Sequence, residues 1–183
     1  MNSLISSLKR RIKMDARQEI LQSLRDAHSE SFPKPELSAL KASSLRYPDA
    51  LEQFCKAVSA SGGHTALLNP GTDPKVAAVQ MFPGTEDLAV VEGVFGVAEN
   101  GCVFLREPTE CRRLDYFVHE ALVIVLDRKE IVANMHDAYD RLGESAMHYG
   151  IFISGPSKTA DIEQALVFGA HGAREVGILL NVQ

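Results

Sequence analysis

Ala121-Leu122-Val123-Ile124-Val125-Leu126 decides the fold: six consecutive apolar residues, three of them β-branched, with no polar position between them. A strand with one wet face would alternate polar and apolar side chains. An uninterrupted run of this length is a strand buried on both faces, as inside a parallel sheet. Asp127 to Leu142 follows it and reads as a helix, with Ile131, Met135, Ala138 and Leu142 on one side.

Working outward, the same alternation repeats. Before the run, Pro48 to Ala60 reads as a helix with proline in its first turn, Leu51, Phe54, Cys55 and Val58 on one face, and Ser61-Gly62-Gly63 as its stop. His64 to Leu68 is a short strand, Asn69-Pro70-Gly71 a turn, and Pro74 to Met81 a helix. Leu88 to Val91 and Cys102 to Leu105 are further apolar segments, the second a strand. After the run, Gly150 to Ser154 reads as strand, Thr159 to Phe168 as helix and Val176 to Val182 as the last strand. Strands alternating with helices imply a mostly parallel sheet flanked by helices, an α/β protein. Asp15 to Ala27 forms a separate amphipathic helix through Ile20, Leu21, Leu24 and Ala27, and the prolines 33 and 35 mark a linker. The expected organisation is a basic extension and amphipathic helix at 1–30 and a single α/β domain at 31–183.

The 183 residues are 45% hydrophobic and 23% charged, the composition of an ordinary folded domain. The longest apolar run falls far short of the roughly 20 residues that cross a bilayer, so no transmembrane segment is expected. Residues 1–13 carry Lys9, Arg10, Arg11 and Lys13 with no acid, whereas the remainder carries 15 basic and 24 acidic residues, a net −9 that leaves the whole chain at −5. Such an acidic body is a poor match for nucleic acid, whose phosphates call for clustered cations. The basic stretch, with Leu4, Ile5, Leu8 and Ile12 at helical spacing, suits a membrane-surface or targeting helix, or a solvated extension. Cys55, Cys102 and Cys111 are too few and too scattered for a disulfide framework, a zinc ribbon or an iron–sulfur site; a cytoplasmic protein without a metal of its own is expected.

Ligands in open α/β sheets gather at the carboxyl ends of strands. The segment that fits is Ile151-Phe152-Ile153-Ser154-Gly155-Pro156-Ser157-Lys158-Thr159-Ala160-Asp161-Ile162-Glu163, a strand running through a Gly-Pro turn into a polar helix start. Free N–H groups there, the hydroxyls of Ser157 and Thr159 and the charge of Lys158 would cradle a small carboxylate or phosphate. The same residues also suit simple capping, with Asp161 favourable to the helix dipole. Gly169-Ala170-His171-Gly172 is a glycine-flanked turn, and His171 could move a proton near neutral pH. Glu99-Asn100-Gly101 is a tight bend whose carboxylate could serve as base or nucleophile. Cys102 reads as a small buried hydrophobe, and His119-Glu120, on the amino side of the central strand, as an unfavourable place for catalysis.

The run from Ser154 to Glu163, continued by Val167, Gly169, His171 and Gly172, together with Ala98-Glu99-Asn100-Gly101, resembles the lactate utilization protein C family, the small members of the LUD-domain group. Asn100 stands where that family often has Thr, and Ala173 where it often has Pro. The resemblance covers about Asp15 to Val182. It implies a fold similar to the NagB/RpiA/CoA-transferase-like group. It also implies a non-redox component of a multi-protein system oxidising L-lactate to pyruvate, no cofactor on this chain, and iron–sulfur clusters on a partner. The expected ligand residues are Asn100, Gly101, Gly155, Ser157, Lys158, Thr159, Asp161 and Gly172, with Glu99 and His171 as catalytic candidates sharing one cleft with Ser157 and Asp161. The alternatives are a CoA-transferase-like enzyme with Glu99 as nucleophile, whose Glu-containing turn is similar, and a ligand-binding regulator.

Overall fold

The computed structural model describes residues 16–27, 33, 35–36, 38–107, 112–143, 149–160, 166–168 and 171–182, and divides between Ser38 and Ala39 into two compact units. In the first, α1 (Ala16–Asp26) forms where its apolar spacing predicts, with Ile20, Leu21 and Leu24 exposed. The short helix α2 (Ser38–Ala42) spans the division.

In the second unit the apolar run becomes β5 (Ala121–Asp127), an inner strand between β10 (Glu175–Asn181) and β2 (Leu88–Glu92). With β1 (His64–Leu68) beyond β10, the order is β1-β10-β5-β2 and every pairing is parallel. Ile124 lies opposite Ile178 on one side and Val91 on the other. Because alternate side chains leave opposite faces, the run feeds two cores. Leu122, Ile124 and Leu126 meet Phe54 and Val58 of α3 (Ala50–Ala60), whereas Ala121 and Val123 meet Ala78 of α4 (Pro74–Met81) and Phe82 just beyond it. Each fully buried Leu or Ile of this set contributes about 1.5–3 kcal/mol. Local chemistry starts both helices: Asp49 accepts from the Glu52 N–H at 2.9 Å and Asp73 from the Lys75 N–H at 2.8 Å. Asp49 is thus the cap of α3, and Pro48 precedes it rather than lying in the first turn.

A second sheet adds β3 (Phe95–Val97), β4 (Val103–Arg106), β6 (Ile131–Val132) and β7 (Gly150–Ile153) in the order β6-β3-β4-β7. Here β4 pairs antiparallel with both neighbours, and β3 pairs parallel with β6. Phe95, Phe104 and Phe152 pack their rings 4.9–6.0 Å apart at its centre.

Three sequence expectations are corrected. The helix expected over 127–142 is only α5 (Met135–Leu142). Asp127 instead forms a turn, accepting from the Lys129 N–H at 2.9 Å through its side chain and from the Glu130 N–H at 2.9 Å through its carbonyl. The β-branched Ile131 and Val132 then pair with Gly96 and Val97, and the Asn134 side chain caps α5 from the Asp137 N–H at 3.0 Å. The two ends of the helix expected over 159–168 are instead antiparallel strands, β8 (Lys158–Ala160) and β9 (Leu166–Phe168), with Thr159 opposite Val167; residues 161–165 lie outside the described residues. Ser157 therefore leads into a strand and Thr159 lies on it, so the helix start expected there is the start of β8. The strand before that bend, β7, belongs to the second sheet, so its end is not a carboxyl end of the parallel one.

Candidate functional site

The last turn of α3 is where the two polar bends come together. Val97 turns back on Cys102 through Ala98-Glu99-Asn100-Gly101, closed by the Gly101 N–H to the Val97 carbonyl at 2.9 Å. The Asn100 side chain braces the bend from inside by accepting the Cys102 N–H at 3.1 Å. Gly101 has φ +69°, and a Cβ there would lie 2.5 Å from the Val58 nitrogen of α3. Gly155 repeats the device in the Gly-Pro-Ser bend: φ is +63°, and a Cβ would lie 2.6 Å from Ser61 Oγ and 2.7 Å from its carbonyl oxygen. Only glycine permits both the conformation and the approach. Both bends thus close on one helix end, and they also touch each other, since the Ser154 hydroxyl donates to the Asn100 carbonyl at 3.0 Å.

The third motif segment joins from β10. The Ser157 N–H donates to the Ala173 carbonyl at 2.8 Å, and a Cβ on Gly172 would stand 3.2 Å from that of Ser157. The Arg174 N–H in turn donates to the Glu120 carbonyl at 2.9 Å. Since Ala173 leads into β10, Glu120 into β5 and Ser61 into β1, the gathered bends lie at the amino edge of the parallel sheet. That is the side opposite to the one the strand-end rule favours.

Lys158 turns toward α3. Its ammonium donates to the Ser61 carbonyl, at the C-terminal and therefore negative end of α3. Glu99 is exposed, and its Oε2 accepts the Met135 N–H at 2.9 Å, so its carboxylate supports the start of α5. That use holds Glu99 in place without presenting it as an activated nucleophile. His171 is exposed, Thr159 is placed on β8, and Asp161 lies outside the described residues. Burial pushes the Cys102 thiol up to about 12, leaving a small hydrophobe 3.8 Å from the Met135 sulfur.

Beside this junction lies an open depression of about 470 Å³, lined by Gln53, Lys56, Ala57, Ala60, Ser61, Glu99 and Asn100. Sequence reasoning singled out Glu99 and Asn100 but missed the contribution of α3. The signal was weak: Gln53 and Lys56 look like ordinary polar positions on the wet side of an amphipathic helix. On the same amino edge, His119 Nδ1 lies 2.5 Å from Asp87 Oδ1, and its Nε2 lies 3.9 Å from Asp115 Oδ1. The hydrogen bond from His119 holds the Asp87 carboxyl below its usual range. Among the described residues, no cluster of three or more His, Cys, Asp and Glu is arranged to hold a metal ion.

A parallel sheet covered on both faces, with glycine-closed polar bends at its amino edge, defines the class: an α/β domain whose motif residues serve a junction around one helix end. The family follows. The chain belongs to the LUD-domain family, whose model matches residues 84–180, just over half of the chain. Among curated relatives, an uncharacterized protein of Neisseria meningitidis serogroup B is 37% identical over 87 residues, covering 46% of this chain and 37% of that protein. The lactate utilization protein C of Bacillus pumilus is 33% identical over 100 residues, covering 51% of this chain and 42% of its own. The protein of the same name from Geobacillus kaustophilus is 30% identical over 90 residues, covering 46% and 38%. The match spans about two fifths of the length of these relatives. In fold the chain is similar to the crystal structure of a DUF162 family protein from Deinococcus radiodurans, with a TM-score of 0.56, 12% identity, and coverage of 76% of this chain and all of that one.

Proposed function

We propose that this chain is a lactate utilization protein: the non-redox component of a cytoplasmic system that oxidises L-lactate to pyruvate, with the two electrons passing to iron–sulfur clusters on a partner. The observation that carries the reading is the LUD match at 84–180, shared with relatives named lactate utilization protein C. Among the described residues no helix is long and apolar enough to cross a membrane. In this reading the chain carries no cofactor. Its part is to bind the partner and a small carboxylate or phosphate at the junction of the two bends. Asn100, Gly101, Gly155, Ser157, Lys158 and Gly172 build the junction, while the exposed Glu99 and His171 are the groups available to exchange protons at its surface.

The test is reconstitution. Lactate oxidation by the assembled system is expected to fall on omission of this chain, and the tagged chain is expected to retain the iron–sulfur partner. Undiminished oxidation without the chain, or a partner that is not retained, overturns the reading.

A further inference from the structure

The depression at the end of α3 has two walls of different origin. Glu99 and Asn100 lie within the family match, whereas Gln53, Lys56 and Ser61 lie ahead of it. The electrostatics of the walls differ as well. The carbonyl end of α3 and the Glu99 carboxylate both repel an anion, so an anion is held only in direct contact with a cation. Of the two lysines nearby, Lys158 is committed to the Ser61 carbonyl, where it offsets the helix end. Lys56 lines the depression, and its partner is Glu52, one turn back at 2.6 Å, with side chains 65% and 62% exposed. An exposed pair one turn apart on a helix holds weakly, so the Lys56 ammonium can exchange Glu52 for a ligand. Gln53, three residues before it on the same helix, adds an amide donor. Across the depression Glu99 only accepts hydrogen bonds, and Met135 occupies its Oε2.

We propose that Lys56 and Gln53 form the anion-binding half, and Glu99 the hydroxyl-binding half, of a site for a small anion that also carries a hydroxyl group. The proposal rests on the reading of this junction as a ligand site, and it moves the ligand's charge from the Gly-Pro-Ser bend to α3. A hydroxyl hydrogen turned toward Glu99 makes its carboxylate a partner, whereas an anion without one meets only repulsion there.

The test is titration of the full chain, followed through the α3 amides by NMR, with two matched pairs of probes: L-lactate against propionate, and glycerol 3-phosphate against methyl phosphate. At least one hydroxylated probe is expected to bind, roughly tenfold more tightly than its match, a difference of one charge-assisted hydrogen bond. Lys56→Ala is expected to weaken it roughly tenfold, Lys56→Glu to abolish it, and Lys56→Arg to restore it. An unchanged thermal transition in these surface variants confirms that each is folded. No binding of either hydroxylated probe, equal binding within both pairs, or binding untouched by Lys56→Ala overturns the proposal. Lactate oxidation that still depends on the chain while Lys56→Ala leaves binding untouched removes the site and keeps the function. Intact Lys56-dependent binding with oxidation independent of the chain removes the function and keeps the site.

Discussion

The strand at 121–127 and the bends around Ser154–Ala173 are built on opposite principles. The strand is held by what it is: five of its seven side chains are buried among apolar neighbours on both faces, whatever the distant loops do. The bends are held by what they touch. Gly155 has no apolar core of its own and is fixed by a helix end nearly a hundred residues earlier, as Gly101 is from the other side. The comparison teaches that the motif residues of this family member first serve to assemble a junction. Any ligand chemistry must use the groups that the junction leaves uncommitted.

The sharpest way to break the contrast is to attack both regions equally hard. Leu126→Ala, at a site with no solvent exposure, is expected to cost about 3 kcal/mol by denaturant unfolding. Gly101→Val should cost at least as much, because the obstacle is the α3 backbone and φ is positive. If Gly101→Val were neutral, the bend would be loosely draped and the contrast would fail. Gly155→Ala, whose Cβ meets the Ser61 side chain as well as its carbonyl, is expected to cost about 1–3 kcal/mol. Glu99→Ala removes a carboxylate from the start of α5 and is expected to cost about 1 kcal/mol, read as faster hydrogen exchange in α5 with β5 unaffected. Glu99→Gln, which keeps an acceptor, should lose less.

The smallest effect concerns pH. Asp87 and Asp115 are held below the ordinary carboxylate range, Asp87 chiefly by the hydrogen bond from His119 and Asp115 by the Arg112 N–H. A carboxyl with a depressed folded-state pKa gives stability that is fully present above its unfolded value of about 4 and is lost as pH falls through the folded one. Unfolding free energy should therefore decline below about pH 4. His119→Ala should make that decline shallower, measured by denaturant melts across the acid range. Asp87 is exposed and Asp115 only partly buried, so the change is minor beside the glycine variants.

How much was legible follows the same division. β5 declares itself because burial on two faces leaves no room for a polar residue, and α3, α4 and β1 are delimited by local Asp, Pro and Gly signals. Residues 127–134 misled because Ile131, Met135, Ala138 and Leu142 do share one side, and the last three do pack together on the second sheet. What the spacing cannot express is that Ile131 and Val132 find strand partners at Gly96 and Val97, far away in sequence. Residues 158–168 misled in the opposite way: Asp161, Glu163, Gln164 and Ala165 look helical, yet the two ends, Lys158–Ala160 and Leu166–Phe168, pair as strands. The two bends were recognisable as polar corners. That they close on α3 was not, because a glycine's need for space depends on a neighbour that the local sequence does not contain.

One consequence concerns where this domain can be cut. The family match begins at residue 84, after α3, β1 and α4 have already passed. A fragment of 84–180 would keep every motif residue yet strip both covers from the sheet, removing Phe54 and Val58 from one side and Ala78 and Phe82 from the other. It would also deprive β10 of its outer neighbour. The stretch that carries the family match is therefore smaller than the packed unit, and its sheet takes both of its covers from residues 50–82.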